Sequence, residues 1–278
     1  QASQMIPIRL SLQVQGYGAR LDFSASSDQV EGSVNAVRSI TLSAALYVFR
    51  CLAAQDIPTN SGCMRPVEVI TRRGSLLDAE FPAAVAGGNV ETSQRIVDVI
   101  LGALSRALPE GLPAASQGSM NNVAMGGVDE RSGEPFSYYE TLAGGMGASC
   151  QGEGESAVHS HMTNTLNTPV EALEHSYPLR VLRCGLRRES GGEGKFRGGD
   201  GLVREIQALS PCEVTVLSER RRTGPYGLRG GGSGTPGRNC LMREGACEEM
   251  PGKFRASLQR GDRLRIETPG GGGWGSRG

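Results

Sequence analysis

"YPLRVLRCGLRRESGGEGKFRGGDGLVREIQALSPCEVTVLSER", residues 177–220, decides the fold class. Three apolar, β-favouring runs lie in it, "YPLRVLRCGL", "LVREIQAL" and "CEVTVLSER", separated by glycine and proline turns. Each is too short for a stable helix and is bounded by turn residues, so each reads as a strand. The pattern spreads in both directions, to "PFSYYETLAG" and to "DRLRIETP" near the C-terminus. From about residue 113 onward the chain therefore reads as β-rich, with one short helix expected over Pro169 to His175.

The N-terminal half reads differently. In "MIPIRLSLQVQGYGARLDFSAS", Ile6, Ile8, Leu10, Leu12 and Val14 alternate onto one face of a strand, and Leu21 and Phe23 continue it after a glycine turn. That spacing predicts a β-hairpin. Asn35 stands as an N-cap before a helix in which Val37, Ile40, Ala44, Val48 and Cys51 or Leu52 recur at helical spacing. A strand over Val67 to Ile70 follows. In the second helix Ile96, Ile100, Leu104 and Leu108 stack four apart, and Pro109 and Gly111 stop it. The fold class is α+β and β-rich, with two main helices in the N-terminal half and a mostly β C-terminal half. Two segments are expected, 1–112 and 113–278, as one continuous part of a larger protein.

Composition excludes several function classes. Lys plus Arg and Asp plus Glu number 29 each, so no positive field draws in nucleic acid. No apolar run approaches the roughly 20 residues of a membrane-spanning helix. Seven dispersed cysteines without a CxxC pair read as reduced, semi-buried thiols of a cytoplasmic protein. The 41 glycines come in doublets and triplets without a period, which fits turns and loops where backbone approaches backbone or ligand. Nucleotide signatures fail in context. "GGEGKFRGG" puts Phe196 where a phosphate loop needs Ser or Thr, and Gly232-x-Gly234-x-x-Gly237 contains Pro236 and precedes a strand. No GxSxG elbow or HExxH zinc motif is present.

All three histidines, His159, His161 and His175, lie in "ESAVHSHMTNTLNTPVEALEHS", residues 155–176. On a strand, His159 and His161 would face the same side. The flanking Thr163, Asn164, Thr165, Asn167 and Thr168 supply neutral donors and acceptors that suit a wet pocket and a developing oxyanion. Further polar clusters adjoin glycine doublets: Asn89, Glu91, Gln94 and Arg95 at the start of the second helix, "SQGSMNN" (116–122), and "YYET" (138–141). The first is a helix N-terminus that can take an anion or simply be a solvated cap. Arg220 to Arg222 read as a solvated basic face.

Taken together, "AAVAGGNVETSQRIVDVILGAL", "ASQGSMNN", "YYETLAGGMGA", "SAVHSHMTNT", "FRGGDGLVRE", "SERRRTGPYGLRGG" and "ETPGGGGWG" resemble the hydantoinase B family, from about Ile8 to Gly275. That family contains B subunits of ATP-dependent N-methylhydantoinases, the corresponding half of 5-oxoprolinases, and related acetone and acetophenone carboxylase subunits. The resemblance implies a separate actin-like ATPase of the hydantoinase A type, which binds ATP and phosphorylates the carbonyl oxygen of a small-molecule substrate. It also implies a preceding segment whose Asp and His residues bind a divalent metal, so no metal ligand is assigned in this sequence. A homo-oligomer is expected.

On this reading His159 and His161 act as acid/base or supporting groups, and Thr163 and Asn164 orient the carbonyl. Asn89, Glu91, Arg95, Asn121, Asn122, Tyr139 and Glu140 are candidate substrate-binding residues. The leading function is ATP-dependent hydrolysis of a cyclic amide, a hydantoin or 5-oxoproline. Two alternatives stay open: a ketone carboxylase subunit, and a non-catalytic assembly module.

Overall fold

The computed structural model describes residues 5–277 except 54, 56 and 109. The chain forms two compact units, Gln1–Leu112 and Pro113–Gly278. Across the described residues three α-helices and twelve strands in three sheets make an α+β, β-rich protein.

The first unit holds β1 (Ser11–Gln15), β2 (Gly18–Asp22), α1 (Arg38–Leu52), β3 (Val67–Ile70) and α2 (Ser93–Leu104). β1 and β2 form the expected antiparallel hairpin, and β3 joins β2 in parallel. Alternation carries Leu21 and Phe23 to full burial, while Val14, near the hairpin tip, is exposed. Ile6, Ile8 and Leu10 precede the first strand. Asn35 is not the cap of α1, which begins after Val37. Its buried side chain instead accepts from the Val30 amide and donates to the carbonyls of Val30, Gly32 and Ala84, so a loop needs it more than the helix does. The buried face of α1 is Thr41, Ala44, Ala45 and Val48. α2 buries Ile96, Val97, Ile100, Leu101 and Leu104, but ends there, leaving Leu108 exposed. Pro109, the expected stop, lies outside the described residues. One π-helical turn, Gly88–Thr92, leads into α2.

The second unit contains β4 (Asn122–Val128), β5 (Pro135–Thr141), the short helix α3 (Val170–Ser176), β6 (Leu179–Arg187), β7 (Gly201–Ala208), β8 (Cys212–Leu217), β9 (Arg238–Arg243), β10 (Ala246–Met250), β11 (Lys253–Leu258) and β12 (Arg263–Glu267). They build a four-stranded sheet, β11-β8-β4-β5, and a five-stranded sheet, β10-β9-β12-β7-β6. Both contribute to one apolar core, including Val123, Met125 and Val214 from the first sheet and Leu202, Ile206, Leu241 and Leu264 from the second. This is the sandwich solution for two sheets with one apolar face each.

Three strands, β4, β10 and β11, were not expected, while β9 is the strand read after Gly237. β4 contains Gly126-Gly127, which reads as a turn in sequence; here a Cβ on Gly127 would stand 2.6 Å from the Pro211 carbonyl, so the glycine permits close strand packing. β9 and β10 form a hairpin that turns at Glu244-Gly245, both with left-handed φ (48° and 84°), as a two-residue turn requires. β11 pairs with β8. The expectation of seven reduced thiols is also corrected. Cys240 and Cys247 sit diagonally across the β9–β10 hairpin, 6.0 Å apart at Cα, and form a disulfide. Cys212 is a buried thiol, pushed up to about 11 by burial, whereas Cys51 and Cys184 are exposed.

Beside the sandwich, the glycine runs pack on one another. Gly271 donates to the Gly199 carbonyl and accepts from Gly192; Gly272 donates to Ala115 and Gly273 to Gly232. A Cβ on Gly271 would overlap the Met146 carbonyl, and one on Gly198 would overlap that of Gly271. These segments are neither helix nor strand, yet their amides pair across the cluster as a buried backbone must. Both glycine strings that mimic nucleotide loops belong to it: Gly192 packs on Gly232, and Gly234 on Gly270.

Candidate active site

β5 and β7 supply the groups from which a site is built. On β5, Tyr138 and Glu140 point into the sandwich, and Tyr139 points the other way. On β7, Arg204 is in phase with the core residues Leu202 and Ile206 and is itself only 2 % exposed. The sandwich therefore encloses an ion pair: Arg204 Nη2 lies 3.4 Å from Glu140 Oε2. Burial works against the Arg204 charge, but Glu140, Cys184 and Tyr138 together more than restore it. Burial and the same carboxylate push the Tyr138 hydroxyl far up, so it stays protonated.

This pair fastens the histidine loop. Glu140 Oε1 accepts from the Thr168 amide at 2.7 Å and from Asn167 Nδ2 at 3.2 Å, and Arg204 Nη2 donates to the Thr168 carbonyl at 3.2 Å. Asn167 also donates to the Thr141 carbonyl, and the hydroxyls of Thr141 and Thr165 are 2.5 Å apart. The loop folds back around His159, whose Nδ1 lies 3.4 Å from the Thr163 hydroxyl and whose Nε2 lies 3.4 Å from that of Thr165. Burial pushes the imidazole below its usual 6.5, and the Glu140 carboxylate opposes this without cancelling it. His159 is thus neutral near pH 7 and has hydroxyls at both ring nitrogens, a state suited to accepting a proton.

The other sequence candidates fall in different places. His159 and His161 do not share a strand: the segment is a loop, and His161 has a left-handed backbone, φ 59°. That turn separates the two rings from the common face a strand would give. Thr163 is buried beside His159, while Asn164 is exposed. His175 is exposed in the last turn of α3.

Asn121 and Asn122 are held from within. Asn121, fully buried with φ 47°, donates to Gln117 Oε1 and the Leu142 carbonyl, and accepts from Arg221 Nη1 at 2.7 Å. Arg221 also donates to Asn239 Oδ1, and Arg220 is buried and donates to the Gly224 carbonyl, so only Arg222 of the three arginines matches a solvated face. Asn122 Oδ1 accepts from the Tyr139 hydroxyl at 2.6 Å. In the first unit Glu91 is buried, Asn89 is exposed, and Arg95 pairs with the buried Asp98 at 2.8 Å. Among the described residues no three His, Cys, Asp or Glu side chains converge to hold a metal ion, so the divalent metal implied by the resemblance has no ligand set among them.

Reading the sequence missed Arg204, Tyr138 and the role of Thr165. The signal for Arg204 was present in "LVREIQAL": a charge in phase with Leu202 and Ile206 must be buried and paired.

A hydantoinase B/oxoprolinase family profile matches residues 1–277. The chain belongs to that family. It is 44 % identical over 273 residues to a 5-oxoprolinase of Dictyostelium discoideum, covering 98 % of this chain and 21 % of that protein. The ATP-dependent caprolactamase from Pseudomonas jessenii superposes with a TM-score of 0.83 at 26 % identity, over 97 % of this chain and 48 % of that one. An acetone carboxylase in its nucleotide-free form shares the fold, with a TM-score of 0.79 at 19 % identity, over 96 % of this chain and 41 % of that one. The chain thus spans about a fifth of the curated 5-oxoprolinase and under half of each solved relative. In this chain the glycine strings that superficially suggest nucleotide binding form a backbone-packed cluster. No helix among the described residues is long and apolar enough to cross a membrane.

Proposed function

We propose that this chain is part of the B portion of an ATP-dependent cyclic-amide hydrolase of the 5-oxoprolinase type, working with an actin-like ATPase subunit or domain. The observation that carries the reading is the 44 % identity to a 5-oxoprolinase across nearly the whole chain. The name of the caprolactamase neighbour, an ATP-dependent enzyme acting on a lactam, points the same way. ATP belongs to the partner on this reading, which the use of both glycine strings in backbone packing supports.

The partner transfers a phosphoryl group to the lactam carbonyl oxygen, which makes the carbon electrophilic. Water then adds at that carbon, the C–N bond breaks as the nitrogen takes a proton, and a second water cleaves the resulting acyl phosphate into carboxylate and free phosphate. His159 is the base that receives the proton of the attacking water. Thr163 and Thr165 hold its ring, and the exposed Asn164 donates to the carbonyl side of the intermediate. His161 supports the loop.

The test is phosphate release from ATP by the full-length protein with its ATPase partner, offered 5-oxoproline, a hydantoin, or acetone with bicarbonate. Release stimulated by a cyclic amide and lost in His159→Ala is the expected result. Stimulation by acetone with bicarbonate alone would move the protein to the carboxylases. Substrate-driven turnover that survives His159→Ala would remove the histidine from the chemistry and favour an assembly role.

A further inference from the structure

We infer that Arg204 is a positioning residue of the proposed reaction: by gripping Glu140 and the Thr168 peptide together, it sets the loop that presents His159. This rests on the reading of His159 as the base. The geometry is a clamp on one residue's backbone. Glu140 Oε1 takes the Thr168 N–H, and Arg204 Nη2 takes the Thr168 C=O while lying 3.4 Å from the same carboxylate oxygen. Both ions are anchored in strands of opposite sheets, so the loop is referenced to the whole sandwich and not to one strand. From Thr168 the constraint runs back through Asn167 and Thr165, both tied to Thr141, to the hydroxyl beside His159 Nε2.

Stability alone does not account for this pair. A buried ion pair is often replaceable by apolar residues of similar volume without loss, because desolvation offsets its attraction. Here the bonds that Glu140 and Arg204 make outside the pair go chiefly to the histidine loop, and Arg204 Nη1 lies 3.3 Å from Cys184 Sγ on β6. The charged group bearing on His159 is Glu140 from β5, and Arg204 from β7 pairs with that carboxylate. Tyr138, also on β5, stays protonated, and the loop itself contributes the hydroxyls of Thr163 and Thr165.

The experiment is a histidine-resolved NMR titration of the full-length protein, with His159→Gln for assignment, beside the pH profile of kcat/KM. In Arg204→Met the loop loses half of its clamp and the His159 ring gains exposure to water. That exposure moves His159 upward, by about half a pH unit or more, and the acidic limb of the profile follows. Arg204→Lys keeps a cation beside Glu140 and brings the titration back towards wild type. Its single ammonium cannot hold the carboxylate and the Thr168 carbonyl in the same fork, so kcat falls while KM holds. A His159 titration in Arg204→Met that superimposes on wild type overturns the inference. If that variant fails to fold, Arg204→Lys decides alone, and an unchanged kcat overturns it. The NMR arm needs no turnover. Should no cyclic amide stimulate ATP hydrolysis, the functional reading falls, while a shifted His159 still shows Arg204 placing it.

Discussion

The second unit has two interiors built on opposite principles. In the sandwich, branched side chains from two sheets fill the space between them. In the glycine cluster, carbonyls and amides of adjacent segments touch directly, and the absence of side chains is what brings them close enough to bond. A side-chain core has slack, because neighbours can relax into a small cavity. A backbone core has none, because a carbonyl cannot move without breaking the hydrogen bonds of its own segment. The smallest residues in this protein should therefore be its least replaceable.

The largest effect should come from Gly271→Ala, whose methyl group would overlap the Met146 carbonyl in a fully bonded segment. It should cost more than about 4 kcal/mol, beyond the ordinary range for one substitution. Denaturant unfolding or loss of soluble expression would show it, and a stable Gly271→Ala protein would break the contrast. Next is the ion pair inside the apolar core. Glu140→Leu should cost roughly 3–5 kcal/mol because it strands Arg204 in the interior. Adding Arg204→Met should recover most of that, which a double-mutant cycle by chemical denaturation would measure. Strictly additive losses would mean that the two charges are not coupled. The smallest effect belongs to Gly152→Ala. Nothing lies within 4 Å of a Cβ there, so stability should stay within about 0.5 kcal/mol of wild type by thermal unfolding.

Acidification sharpens the same comparison at the histidine loop. The folded His159 is held below its usual 6.5 by burial, so the unfolded chain binds its proton more readily. The loop's contribution is complete above about 6.5 and declines as pH falls through the folded value. His159→Gln should flatten that acid-side decline in a pH series of unfolding midpoints, whereas a change in the glycine cluster should not.

These interiors also explain what was legible in the sequence. The strands over residues 135–141, 179–187, 201–208, 212–217 and 263–267 were readable because alternation survives in a half-buried sheet. β4 was hidden by Gly126-Gly127, since a local rule reads paired glycines as a turn, while the packing against Pro211 is a long-range fact. The same limit applies to the site. A dense polar string around His159 could be seen, and a strand was the natural way to align its two histidines; the left-handed His161 replaces that strand with a loop. Asn121 looked like a ligand-binding group, and Arg221 like part of a solvated face, because their partners, each other among them, lie a hundred residues apart. Arg204 was the opposite case, a charge in an inward register whose partner could not be named from its own neighbourhood.

The glycine cluster has a thermal consequence. Unfolding raises heat capacity in proportion to the apolar surface it exposes and lowers it for the polar surface, by about +0.45 and −0.26 cal/mol/K per Å². A cluster whose contacts are peptide groups releases mostly polar surface when it opens. This part of the protein adds bonding enthalpy with little heat capacity of its own. It flattens the curve of stability against temperature, and its hold on the loops changes less between cold and warm than the grip of the apolar core beside it.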